Sequence, residues 1–171
     1  MGTAKRPLWA PWRIEFIRSK KDGCCFLCDK RRPDSESREE ELVIFRGKTV
    51  FVILNRYPYN SGHLMIAPYR HIGDISELGV AERRELMDIT IESKELLSKL
   101  MRPEGFNVGF NLGLAGGAGV ADHIHMHVVP RWQGDTNFMP VLCDTRIVPE
   151  SLVETARLLR SAWPKARRKK S

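Results

Sequence analysis

Short runs of apolar residues recur from residue 42 onward, and their spacing predicts the elements of the chain. Runs with period-two alternation read as strands, because successive side chains of an extended backbone point to opposite faces. Residues 42–46 and 49–54, split by Gly47-Lys48, carry the pattern of a β-hairpin. Residues 62–67 (GHLMIA) predict a third strand, entered through the turn-rich Tyr57-Pro-Tyr-Asn-Ser61, and residues 106–112 a fourth. Residues 123–129 (HIHMHVV) predict a fifth, with His123, His125 and His127 on one face and Ile124, Met126 and Val128 in a core. Between the third and fourth strands the period changes. Leu86, Ile89, Ser93, Leu96, Leu97 and Leu100 recur at helical spacing over residues 81–101, and Pro103 ends that helix. A last helix is expected from Pro149, a residue suited to a first helical turn, to Trp163. Residues 31–41 hold no apolar side chain and predict a surface loop. Five strands and two helices without βαβ alternation predict an α+β domain.

A chain of 171 residues suits one domain with a sizeable core plus tails. No run approaches the ~20 apolar residues of a membrane span, and residues 1–12 lack the apolar core of a signal peptide, so a soluble, cytoplasmic protein is expected. The formal net charge of +7 points to a polyanion until it is mapped. Lys165, Arg167, Arg168, Lys169 and Lys170 supply five of those charges, leaving 23 basic against 21 acidic residues in the body, a net of +2. The basicity is therefore that of a solvated tail at 165–171, and nucleic acid is not the expected partner. Residues 7–17 (PLWAPWRIEFI) form an aromatic arm that must bury itself on its own domain or on a neighbouring subunit. The expected organisation is an arm at 1–22, a domain at 23–164 and the tail at 165–171.

The chemistry concentrates in few residues. Three of the five histidines fall within five positions, and imidazole serves as nucleophile, acid, base or metal ligand. Residues 113–119, just before them, contain four glycines, and glycine lets backbone N–H groups approach a phosphate closely. Gly116, Gly117 and Gly119 offer such a cradle, with His125 and His127 facing what it holds. Three of the four cysteines are Cys24, Cys25 and Cys28, a cluster that in a reducing compartment points to metal or redox work rather than to a disulfide framework.

The pattern His123-x-His125-x-His127-Val-Val resembles the signature of the histidine triad family of nucleotide hydrolases and transferases. The stretch from Asn55 through His63 to Pro68 resembles that family's second hallmark. Residues 8–13 (LWAPWR), Asn111-Leu-Gly, the glycine loop and residues 130–138 (PRWQGDTNF) resemble the branch containing bacterial diadenosine tetraphosphate phosphorylases and related hydrolases. The resemblance covers nearly the whole chain. It implies a five-stranded antiparallel sheet with two helices, and a homodimer in which the strand at 106–112 and the long helix pair two sheets into one. Leu86, Leu97 and Leu100 are the expected apolar contacts of that dimer.

The same resemblance implies roles. His125 would attack the α-phosphorus and carry a nucleotidyl group. The carbonyl of His123 would hold its tautomer, His127 would steady the charge on the phosphate and His63 would support the pair. Asn55 would hold the ribose hydroxyls, Asn111 with Gly117 and Gly119 the phosphates, and Trp132 a base. Orthophosphate or water would then release the nucleotide. Relatives commonly carry Gln or Ser at the position of Gly119, where glycine leaves only backbone. A structural zinc is implied on Cys25, Cys28, His71 and His123, with Cys24 an alternative to Cys25. Adenosine phosphoramidase activity, or nucleotide binding with little turnover, is the alternative function.

Overall fold

The computed structural model describes residues 25–29, 42–135 and 151–163. The aromatic arm, the loop at 31–41, Cys24, Pro149 and the basic tail, and with them the expected domain boundaries, lie outside the described residues. The chain forms a short helix α1 (Phe26–Asp29), strands β1 (Val43–Arg46), β2 (Val50–Leu54) and β3 (Leu64–Pro68), and a 3-10 turn at Ile75–Glu77. Helix α2 (Val80–Met101), strands β4 (Gly105–Phe110) and β5 (Met126–Arg131) and helix α3 (Leu152–Ala162) follow. The strands make one antiparallel sheet in the order β1-β2-β3-β5-β4, as expected for the α+β class. Among the described residues no helix is long and apolar enough to cross a membrane.

β2 and β3 lie at the centre of the sheet and are buried at every position, which is why their sequences run VFVIL and LMIAP rather than alternating apolar and polar. Helix α2 buries Leu86, Ile89, Leu96 and Leu97 against them. Its Thr90 and Ser93 hydroxyls bond back to the carbonyls of Leu86 and Ile89, so these polar groups are satisfied inside the core. Leu86 and Leu97 are 3 % and 0 % exposed in the chain's own core, which corrects their expected place at a dimer contact. The exposed apolar side chains of α2 are Val80, Met87 and Ile91. The helix ends at Arg102, whose φ of 49° is left-handed, directly before Pro103.

Two turns are locked to α2. Glu85 accepts from the Lys48 and Thr49 N–H groups and from the Thr49 hydroxyl, clamping the β1–β2 turn. Gly62 has a φ of 74°, and a Cβ there would come within 2.6 Å of Met101 Sδ. The turn into β3 therefore lies flat on the helix. Helix α3 packs on β1, with Trp163 stacked on Phe45 at 4.8 Å.

The histidine stretch departs from expectation in one respect. β5 begins at Met126, after His123 and His125: its pairing starts there on both sides, opposite Ile66 of β3 and Phe110 of β4, while β3 runs on to Pro68 along β2 alone. His123, Ile124 and His125 continue as an extended connection, with Ile124 N–H on the carbonyl of Ile72. The three histidines are 0 %, 6 % and 8 % exposed, so they lie inside the molecule rather than on a solvated strand face.

Candidate active site and metal centre

Backbone groups orient the His63, His123 and His125 rings, and the orientations decide which nitrogen is available. His125 Nδ1 lies 2.8 Å from the His123 carbonyl, which can only accept, so Nδ1 carries the proton and Nε2 keeps its lone pair. Burial pushes His125 below the ordinary imidazole range, while the His123 carbonyl pulls the other way. A neutral, tautomer-fixed, buried imidazole is the form in which a histidine is a nucleophile. The next ring, His127, meets His125 edge to face with centroids 4.8 Å apart. Its Nδ1 is 2.9 Å from His63 Nε2, and Asn111 Nδ2 stands 3.4 Å from its Nε2. Thus β3 and β5, which pair Met65 with His127, bring His63 from sequence position 63 onto the triad.

These rings line a cleft of about 280 Å³. Its wall includes the apolar side chains of Phe26, Leu42, Ile53, Leu54, Met65 and Val120. It also includes Asn55, Arg56, Tyr57, Tyr59, Gly119, His125 and His127. No Asp or Glu among the described residues lines it, so the cleft suits a ligand that combines an apolar ring with an anionic group.

Of the residues expected at the site, His125, His127, Asn55 and Gly119 line the cleft, and His63, fully buried, joins them through His127. Asn111 reaches it through His127. Gly117 and Trp132 stand outside the cleft wall. Gly117 N–H donates to the Leu114 carbonyl at 3.0 Å and Ala118 N–H to that of Gly113, so the glycine loop closes largely on itself. Gly116 serves that closure: a Cβ there would lie 2.2 Å from the Leu112 carbonyl oxygen. Trp132 is half-buried in a turn organised by Asp135, which takes both ends of the Arg131 guanidinium, Asn60 Nδ2 and Trp132 N–H.

Sequence reading missed Phe26 and Tyr59. Phe26 sits between Cys25 and Cys28 yet walls the cleft. The Tyr59 ring lies 4.6 Å from His63 and 5.7 Å from His127, centroid to centroid. The turn-rich run at 57–61 was visible in the sequence, but nothing in it says where the ring goes.

The first histidine of the three serves a separate site. His123 turns its ring away from the cleft: Nε2 donates to the Pro68 carbonyl at 2.9 Å, leaving the Nδ1 lone pair toward Cys25 Sγ at 3.3 Å and Cys28 Sγ at 3.5 Å. His71 Nδ1 is 3.2 Å from Cys28 Sγ, and all four ligand atoms lie within 4.8 Å of one another. A tetrahedral zinc with bonds of about 2.3 Å to sulfur and about 2.0 Å to nitrogen would set sulfur and nitrogen about 3.5 Å apart. The donor set therefore fits the ion, and the Pro68 carbonyl supplies the outer hydrogen bond that orients a ligating imidazole. Burial pushes the Cys25 thiol up to about 11, a cost that a bound dication reverses.

Comparison with known proteins bears on the family and the fold. The HIT domain family profile matches residues 36–134. An AP-4-A phosphorylase of Mycobacterium tuberculosis is 41 % identical over 163 residues, covering 91 % of this chain and 83 % of that protein. The asymmetrical bis(5'-nucleosyl)-tetraphosphatase of Schizosaccharomyces pombe is 26 % identical over 93 residues, 54 % of this chain and 50 % of that one. Among solved structures, a Zn-bound histidine triad family protein from Mycobacterium smegmatis superposes with a TM-score of 0.66 at 22 % identity, over 86 % of this chain and 99 % of that one. That last likeness speaks to the fold.

Proposed function

The chain belongs to the HIT domain family, and from that premise we propose that it cleaves diadenosine tetraphosphate or a similar dinucleoside polyphosphate by nucleotidyl transfer through His125. The observation that carries this reading is the 2.8 Å bond from His125 Nδ1 to the His123 carbonyl, which leaves Nε2 as the free nitrogen of a residue lining the cleft. Nε2 forms a bond to the α-phosphorus as the bond to the bridging oxygen breaks, and the rest of the polyphosphate departs. Orthophosphate or water then attacks the same phosphorus, with His125 as leaving group, giving ADP or AMP. The apolar wall takes the base, Asn55 the ribose, and His127 with Gly119 the phosphates. The named activities of the Mycobacterium tuberculosis and Schizosaccharomyces pombe relatives support the substrate class.

Zinc on Cys25, Cys28, His71 and His123 would supply a structural cross-link, tying α1 and the connection after β3 to the residue two before the nucleophile. The chain's reading as a homodimer rests on β4, the last strand in the sheet order, whose Val108 is 49 % exposed. A second copy pairing along that edge would cover it. The deciding assay incubates purified protein with diadenosine tetraphosphate, with and without orthophosphate, and resolves the products by chromatography. ADP plus ATP formed only with phosphate identifies a phosphorylase, and AMP plus ATP without it a hydrolase. No cleavage in either condition would overturn the reading.

A further inference from the structure

His63 is caught between donors that decide where its proton sits. The main-chain N–H of Tyr59 donates to His63 Nδ1 at 3.0 Å. The amide nitrogen of Asn55 stands 3.3 Å from the same atom, and its orientation is set because Asn55 Oδ1 accepts from Tyr57 N–H at 2.9 Å. Two donors converge on Nδ1, so it holds a lone pair and the neutral ring carries its proton on Nε2. That proton points at His127 Nδ1, 2.9 Å away. His127 therefore accepts on Nδ1 and carries its own proton on Nε2, on the side of Asn111. The Asn111 amide, 3.4 Å from that Nε2 and 3.5 Å from the Gly117 carbonyl, is held loosely enough on both sides to turn its oxygen to the proton.

The chain of bonds runs one way. An added proton on His63 Nδ1 would face the Tyr59 N–H, and one on His127 Nδ1 would face the His63 N–H. Both rings are buried, where a charge loses its water. The titratable and charged groups lining the cleft beside the pair are His125, Tyr57, Tyr59 and Arg56. The Tyr59 ring, inclined 29° to His127 and 41° to His63, holds both planes in place.

We infer that Tyr59 is a positioning residue: acting through His63, its N–H fixes His127 as a neutral imidazole with the proton on Nε2, which donates a hydrogen bond to the departing group without handing it a proton. This rests on the proposed nucleotidyl transfer and narrows its substrate class. As the His125 Nε2–phosphorus bond forms, the electron pair of the breaking bond stays on the departing oxygen, which leaves unprotonated. A polyphosphate terminus leaves readily as an anion. An amine does not.

The test is histidine 15N NMR on the full chain between about pH 5.5 and 8, the range in which free imidazole titrates. Signals are assigned with His63→Gln and His127→Gln variants. The expected result is that His63 and His127 keep the neutral Nε2–H signature throughout, that Tyr59→Phe keeps it too, and that Tyr59→Pro, which deletes the N–H, lets the pair titrate. If either wild-type ring titrates in that window, or shows its proton on Nδ1, the inference is overturned whatever the enzyme cleaves. Should Tyr59→Pro fail to fold, the wild-type titration decides alone. A second arm compares kcat on diadenosine tetraphosphate and on an adenosine 5′-phosphoramidate. Withheld general-acid help predicts a loss of about a hundredfold or more on the amidate. Equal rates would overturn the leaving-group claim, and turnover of neither substrate would strike the proposed function while the NMR result still decides the role of Tyr59.

Discussion

His123 belongs to two sites at once. Its carbonyl fixes the tautomer of His125, and its Nδ1 faces the two cysteines. The two functions separate by substitution. His125→Ala removes the nucleophile, and kcat should fall by well over a hundredfold, more than loss of a positioned acid or base alone usually costs at its lower bound of about 10². Retention of more than about a hundredth of wild-type turnover would rule out the covalent route. His123→Ala keeps the carbonyl and removes only the ring. It should lower thermal stability and metal content while leaving more activity than His125→Ala, as read by a melting curve and by kcat. That histidines would carry the chemistry was legible from three of them in five residues. That the first of the three points away from the other two was not, because side-chain alternation says nothing of where a strand loses its partners.

The elements around the site are held by a few polar clamps. Glu85 accepts three hydrogen bonds from the β1–β2 turn, and bonds to a charged acceptor are the stronger kind. Glu85→Ala should destabilise the fold by about 1–3 kcal/mol in denaturant unfolding, with little direct effect on the cleft. Gly116 is the opposite case. Its substitution by Ala sets a Cβ against the Leu112 carbonyl within the loop that leads to the histidines. Activity should fall sharply while the melting temperature moves little, since the loop is exposed and adds little to the core. An unchanged kcat/KM would show that the loop's closed form is not needed. The strands and α2 were predicted within a few residues of their bounds, because burial imposes its period on the sequence. The self-closure of the glycine loop was hidden, since glycines suit a phosphate cradle and a tight turn equally.

At the scale of the whole molecule, two proposals meet direct measurements. Metal analysis of protein prepared without chelator should find about one zinc per chain. Cys28→Ser or chelation should lower the melting temperature by about 5 °C or more, because assembly of the site contributes to folding. Protein free of zinc would contradict the centre. Light scattering at micromolar concentration should give the mass of two chains, and Val108→Arg on the β4 edge should shift it toward one. A monomer for the native chain would count against the dimer.

What the sequence determined by itself is the chemistry and the class of fold. Hydrophobic period is a local property, dictated by which face of each element must leave water, so the α+β class and the order of the elements could be read directly. The cluster of cysteines at 24–28 pointed to metal or redox work, but the set Cys25, Cys28, His71 and His123 was named only through the family resemblance, with Cys24 left as an alternative to Cys25. Only the tertiary structure decided the rest. Leu86 and Leu97 belong to the inner face of α2, since helical periodicity shows that a face is apolar but not what covers it. Phe26 and Tyr59 reach the cleft through turns whose paths depend on contacts distant in sequence. The protons of His63 and His127 are assigned by the backbone N–H of Tyr59, a group every residue but proline carries and no side-chain pattern records.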